Sequence, residues 1–147
     1  MGRYWQKSYK GFQKKREITE KMAKRIIQTN NAPAAIGPYS QAVECNGTLY
    51  ISGQIPIHPA TRQPIDGNMT AQTEQVFRNV AAILQAAGYE FSDVVKTTVF
   101  ITDMALFTEM NNVYKKYYAS DSPARSTIAV KALPLGVSVE IETVAQK

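Results

Sequence analysis

The run VVKTTVFIT, residues 94–102, constrains the fold more than any other stretch of the chain. Its β-branched and aromatic residues mark a strand. Successive side chains of a strand alternate between faces, so apolar groups fall on both sides of whatever sheet contains it. Such a sheet needs a cover on each face. The chain has two helical segments to offer. One runs from about Thr70 to Ala87, with Val76, Val80, Ile83, Leu84 and Ala87 on one side, Gln75, Arg78 and Asn79 on the other, and Gly88 placed to end it. The second follows Asp103, a candidate N-cap, and repeats Phe107, Met110, Tyr114 and Tyr117 at helical spacing, a pattern read as core packing. Two helices cover one face, and self-association is the economical cover for the other.

The remaining segments complete a sheet. Arg25–Thr29 is a short strand candidate, and NNAPAAIGPYSQ after it is too rich in Pro and Gly for a helix. AVEC and TLYIS flank Asn46-Gly47, the strongest short-range hairpin signal, because both turn positions need positive φ. GQIPIHPATRQPIDGN, with three prolines, reads as a surface loop. Arg125–Val130 and Val137–Val144 are the last two strands. The order strand, hairpin, helix, strand, helix, strand, strand predicts an α+β fold, with two helices on one face of a mixed sheet.

Composition removes several chemistries. With one cysteine and one histidine, Cys45 and His58, the chain forms no internal disulfide and lacks the donors of a usual zinc site. His58 lies in the proline-flanked loop, no GxSxG is present, and a Ser-His-acid triad has no support; His58 is read as an exposed loop residue. No apolar run approaches the roughly 20 residues of a membrane helix. The formal net charge of +5 is unevenly spread. Residues 1–30 carry nine basic and two acidic side chains, a net +7, and the other 117 carry eight and ten, a net −2. The body therefore has no cationic surplus for phosphates, and nucleic acid is not its expected partner. Residues 1–21 read as a basic N-terminal extension, dispensable to a single domain over 22–147. The extension lacks the apolar core of a secretory signal. A cytoplasmic location is expected, with the mitochondrion as the alternative should the extension act as a targeting segment.

Alternation in the last strand puts Val137, Val139, Ile141 and Thr143 on one face and Ser138, Glu140, Glu142 and Val144 on the other. In a monomer the glutamates are simply solvated. At a subunit interface Arg125, where SPARSTIAV turns from loop to strand, becomes a carboxylate clamp and Glu140 a group that orients or deprotonates water; the alternative is that the two pair with each other.

NAPAAIGPYSQAV (31–43), ISGQIP (51–56), VVKTTVFITDM (94–104) and SPARSTIAVKALPLGVSVEIETVA (122–145) together resemble the RidA-type members of the reactive intermediate deaminase, or YjgF, family. The resemblance runs from about residue 22 to the C-terminus and implies a chorismate-mutase-like fold, assembled as a homotrimer with a central barrel-like core and clefts between subunits. It implies hydrolysis of 2-imino or 2-enamino acids, such as 2-aminoacrylate and 2-aminocrotonate, to 2-oxo acids and ammonia, which would spare pyridoxal-phosphate enzymes from damage, with no metal or cofactor. By resemblance, Arg125 holds the substrate carboxylate and Glu140 positions the attacking water. Tyr39, Ser52, Gly53 and Asn111 line the cleft, and Thr127 stands where many members have cysteine. Two other functions remain open: a small-carboxylate binding or regulatory protein, and an RNA-cleaving inhibitor of translation.

Overall fold

The computed structural model describes residues 23–147 together with Lys10, Gly11 and Gln13. Apart from those three, the basic extension assigned to residues 1–21 lies outside the described residues. Six strands, β1 (Arg25–Ile27), β2 (Ala42–Cys45), β3 (Thr48–Gln54), β4 (Val94–Ile101), β5 (Ala124–Ala129) and β6 (Val139–Gln146), form one sheet in the order β1-β2-β3-β6-β4-β5. Helices α1 (Met69–Ala87) and α2 (Phe107–Tyr117) complete the α+β architecture. Only β4 and β5 pair in parallel, so the sheet is mixed, and the last strand of the chain lies in its middle.

Local chemistry sets the boundaries. Asn46 and Gly47 have φ of 52° and 78°, the left-handed pair that closes the β2–β3 hairpin. The Asn68 side chain caps α1, accepting from Ala71 N at 3.0 Å, and Gly88 ends it at φ 82°, its N–H donating to Gln85 O at 3.1 Å. Asp103 caps a single 3₁₀ turn, Met104–Leu106, that leads into α2, and not α2 itself; its Oδ1 accepts from Ala105 N at 2.9 Å.

The helices cover one face. Val139, Ile141, Thr143 and Ala145 of β6 are at most 1% exposed beneath them, with Phe77, Ile83 and Met110 among the fully buried partners. Tyr117 stacks on Phe77 at 4.3 Å between ring centroids, so the α2 aromatics are core, as their spacing predicts. Nothing among the described residues covers the other face. There the register aligns Ile26, Val43, Tyr50 and Val144 in one row across four strands, and Ile26 and Tyr50 are half-exposed.

Two further expectations fail beside the Asp103 cap. The "polar face" of α1 is only partly wet, because Gln75 and Asn79 are buried and Arg78 alone of the three is exposed. Asn79 Nδ2 donates to Ile55 O at 3.2 Å and Ile57 O at 3.0 Å, and Gln75 Nε2 donates to Asn79 Oδ1 at 2.9 Å. The proline-rich segment after β3 is therefore no free surface loop: Ile57 is buried and bridges to Pro64, and the Asn79 amide of α1, itself held by Gln75, satisfies two of its carbonyls.

Candidate functional site

Arg125 stands on β5 directly opposite Thr97 of β4, which is fully buried, so Arg125 points to the helix side of the sheet. There its Nη1 donates to Asn111 Oδ1 at 2.8 Å, and its Cζ lies 4.5 Å from the centroid of the Tyr114 ring and 5.6 Å from that of Phe107. Among the described residues no carboxylate lies within ion-pair distance of it. Thr127, two residues on and facing the same way, has a buried Oγ1 with no hydrogen-bond partner among the described residues.

Glu140 faces the opposite way. Its neighbours Val139 and Ile141 are fully buried under the helices, which sends its own side chain to the uncovered face. It packs over Gly53. The β3–β6 register slips between Ile51 and Gln54, and a Cβ at Gly53 would overlap the Glu140 carboxylate oxygen and lie 2.9 Å from its Cδ. Glycine lets the carboxylate lie directly against the strand; any Cβ would turn it aside. Burial first, and the charge of Glu142 second, raise the Glu140 pKa above the ordinary glutamate value.

Tyr39 and Ser52 join this second cluster through a loop whose organiser the motif reading passed over. Gln41 is buried, and its amide accepts from Thr29 N at 2.7 Å and donates to the carbonyls of Thr29, Ala32 and Pro33. Ser52 Oγ donates to Ser40 O at 2.7 Å, and Ser52 N to Gln41 O at 3.0 Å, tying β3 to the same loop. The result is a small apolar cavity of about 50 Å³ between Tyr39, Ile36, Gly53, Ile55 and Ile57. A glutamine fourteen residues past the end of β1 carries no signal without knowing that the loop folds back on it. His58 is exposed, its Nδ1 accepting from Ala60 N within its own turn.

The seven residues thus form two clusters. Arg125, Asn111 and Thr127 belong to the helix side at the β5 edge; Glu140, Gly53, Ser52 and Tyr39 gather about the uncovered side of β3 and β6. Arg125 and Glu140 do not pair. Among the described residues no group of three or more His, Cys, Asp or Glu is arranged to hold a metal, and no helix is long and apolar enough to cross a membrane.

The fold and these clusters define a small α+β protein of the class drawn from the motifs. The chain belongs to the YjgF/Rid family, described as "Endoribonuclease L-PSP", whose pattern matches residues 29–147. It is 47% identical over 122 residues to the mouse 2-iminobutanoate/2-iminopropanoate deaminase, covering 83% of this chain and 90% of that protein. Among solved structures it is similar to RidA of the Antarctic bacterium Psychrobacter sp. (TM-score 0.81, 46% identity, 84% of this chain and 99% of that one). It is similar also to Escherichia coli TdcF with bound serine (TM-score 0.80, 41% identity, 84% and 98%).

Proposed function

We propose that this protein is a hydrolytic deaminase of small 2-imino and 2-enamino acids, converting them with water to 2-oxo acids and ammonia. The observation that carries the reading is the state of Arg125: a guanidinium held by Asn111 and Tyr114, with no carboxylate partner among the described residues, and so ready for a substrate carboxylate. Relatives named as 2-iminobutanoate/2-iminopropanoate deaminases, at this identity over most of the chain, support it.

The chemistry asks little of the protein. The imine carbon is already electrophilic, so fixing the carboxylate and holding a water about 3 to 3.5 Å from that carbon supplies most of the advantage. Glu140 orients the water and takes its proton as the new C–O bond forms. That proton passes to nitrogen to give a carbinolamine; the new hydroxyl then gives up its proton to the same nitrogen by way of Glu140, and as the C–N bond breaks the C=O bond forms, releasing ammonia and the 2-oxo acid. Its raised pKa suits Glu140 to this task, since a stronger base accepts the proton more readily. No metal or cofactor enters this scheme.

Because Arg125 and Glu140 lie on opposite faces, the complete site takes Arg125 from one copy and the Glu140 cluster from another. A homotrimer with three such clefts also supplies the cover that the apolar face lacks. Residues 1–21 are dispensable in this scheme, and protection of pyridoxal-phosphate enzymes is the role that follows from removing such reactive compounds. A second reading, capture of small carboxylates without turnover, is favoured by the serine in TdcF. RNA cleavage has the family description behind it, but the body's net −2 leaves phosphates little to bind.

To test the proposal, 2-aminocrotonate is generated by a dehydratase acting on threonine, and its decay is followed with and without the protein. Decay faster than the spontaneous rate, from a particle of three chains by sedimentation, is expected. An unchanged rate overturns the deaminase, and tight 2-oxobutanoate binding in its absence establishes the second reading.

A further inference from the structure

The contacts of Arg125 reach beyond the residues named for the site. Phe107, Asn111 and Tyr114 recur on α2 at spacings of four and three, which places them in one stripe, and all three meet the Arg125 guanidinium. Asn111 takes one of its five N–H donors at the edge. Tyr114 takes its face. The Tyr114 ring is itself fixed at the far end: its hydroxyl shares a buried hydrogen bond of 2.7 Å with Thr97 Oγ1, and Thr97 sits directly across the β4–β5 ladder from Arg125. The circuit runs from Arg125 through Tyr114 and Thr97 back to the strand pair that carries Arg125.

We infer that Tyr114 is a positioning residue for the deamination, a ring platform that holds the Arg125 guanidinium in the orientation needed to take the substrate carboxylate. The inference rests on the deaminase reading above and adds to it a residue that never touches substrate. Arginine has long, freely rotating side-chain bonds, and ordering them at the moment of binding weakens capture of the ligand; a guanidinium already laid on a ring and hooked at one edge avoids that loss. Tyr114 is 5% exposed, so its contact with the cation is partly shielded from water, where cation–π attraction is strongest. The hydroxyl of a tyrosine is neutral at working pH and burial raises its pKa further, so the ring offers the guanidinium a face and no rival charge.

The test separates the ring from the hydroxyl. Tyr114→Phe keeps the face under Arg125 and loses the Thr97 bond; Tyr114→Leu loses both. Deamination kinetics and 2-oxobutanoate calorimetry are measured for each, with thermal melting as the measure of folding. The Leu variant is expected to raise KM and weaken 2-oxobutanoate roughly tenfold while kcat changes little, in line with a partly desolvated cation–π contact. The Phe variant stays within about threefold of wild type because its ring still serves. Equal losses in the two variants, tracking their melting temperatures, overturn the platform and leave Tyr114 a core residue. Failure of the wild-type protein to deaminate is a different result, since it removes the reaction and not the positioning; 2-oxobutanoate binding by the two variants still decides the platform.

Discussion

The Arg125 cluster and the Glu140 cluster differ in how much of their environment one chain provides. Around Arg125 everything needed to orient the side chain is present: an amide at its edge, rings at its face, and a strand partner tied to one of those rings. Around Glu140 the described residues supply a floor and no ceiling. Gly53 makes room beneath the carboxylate and the Gln41-ordered loop stands beside it, but the face above carries half-exposed Ile26 and Tyr50 with no covering element among the described residues. Neither cluster is a deaminase site by itself. Under the proposed function the first is a ligand clamp complete in one chain, and the second is half of an interface.

This comparison breaks most sharply at Arg125. Arg125→Ala should lower kcat/KM for 2-aminocrotonate roughly a thousandfold, the size of losing a bidentate contact to a desolvated carboxylate, while sedimentation still reports the wild-type assembly. Retained activity would place the carboxylate elsewhere. Glu140→Gln comes next, with a loss of roughly a hundredfold in kcat and little change in KM, since the amide keeps the size and loses the proton acceptor. The wild-type rate should fall with acid along a limb centred above the ordinary glutamate value, because the raised pKa removes the carboxylate early.

Stability at Glu140 moves the other way. Its folded pKa is raised, so the folded state holds the proton more tightly than the unfolded chain, and ionisation costs stability as pH rises from the ordinary glutamate pKa through the folded one. Glu140→Gln should therefore melt higher than wild type at neutral pH, with the gap closing below the ordinary glutamate pKa. A lower melting temperature at neutral pH contradicts the assigned environment. Gly53→Ala is the mildest in rate, with an expected loss of roughly tenfold in kcat. Its added Cβ turns the flexible Glu140 carboxylate aside, which costs the water-activating geometry more than the fold, so denaturant titration should show stability within about 1 kcal/mol of wild type.

Legibility followed the range of the interaction. The hairpin at Asn46-Gly47, the Gly88 stop and the faces of β6 rest on backbone conformations and periodicities a few residues long, and they stand where the pattern put them. Gln75 and Asn79 did not. Amides on the side of a helix away from its apolar stripe look wet; here Asn79 meets the carbonyls of Ile55 and Ile57, more than twenty residues away, and Gln75 is held in turn by Asn79. Tyr114 shows the same limit in a milder form: its spacing marked it as packing, correctly, and hid that it also faces a cation.

By itself the sequence determined the α+β class, the excess of apolar strand surface over the two helices available to cover it, and the motifs that mark the family. These depend on side-chain type and spacing, which no packing alters. Tertiary structure alone decided that Arg125 and Glu140 turn to opposite faces. Inserting β6 between β3 and β4 fixes its register against both neighbours, and with it the side of the sheet that each alternate residue must take.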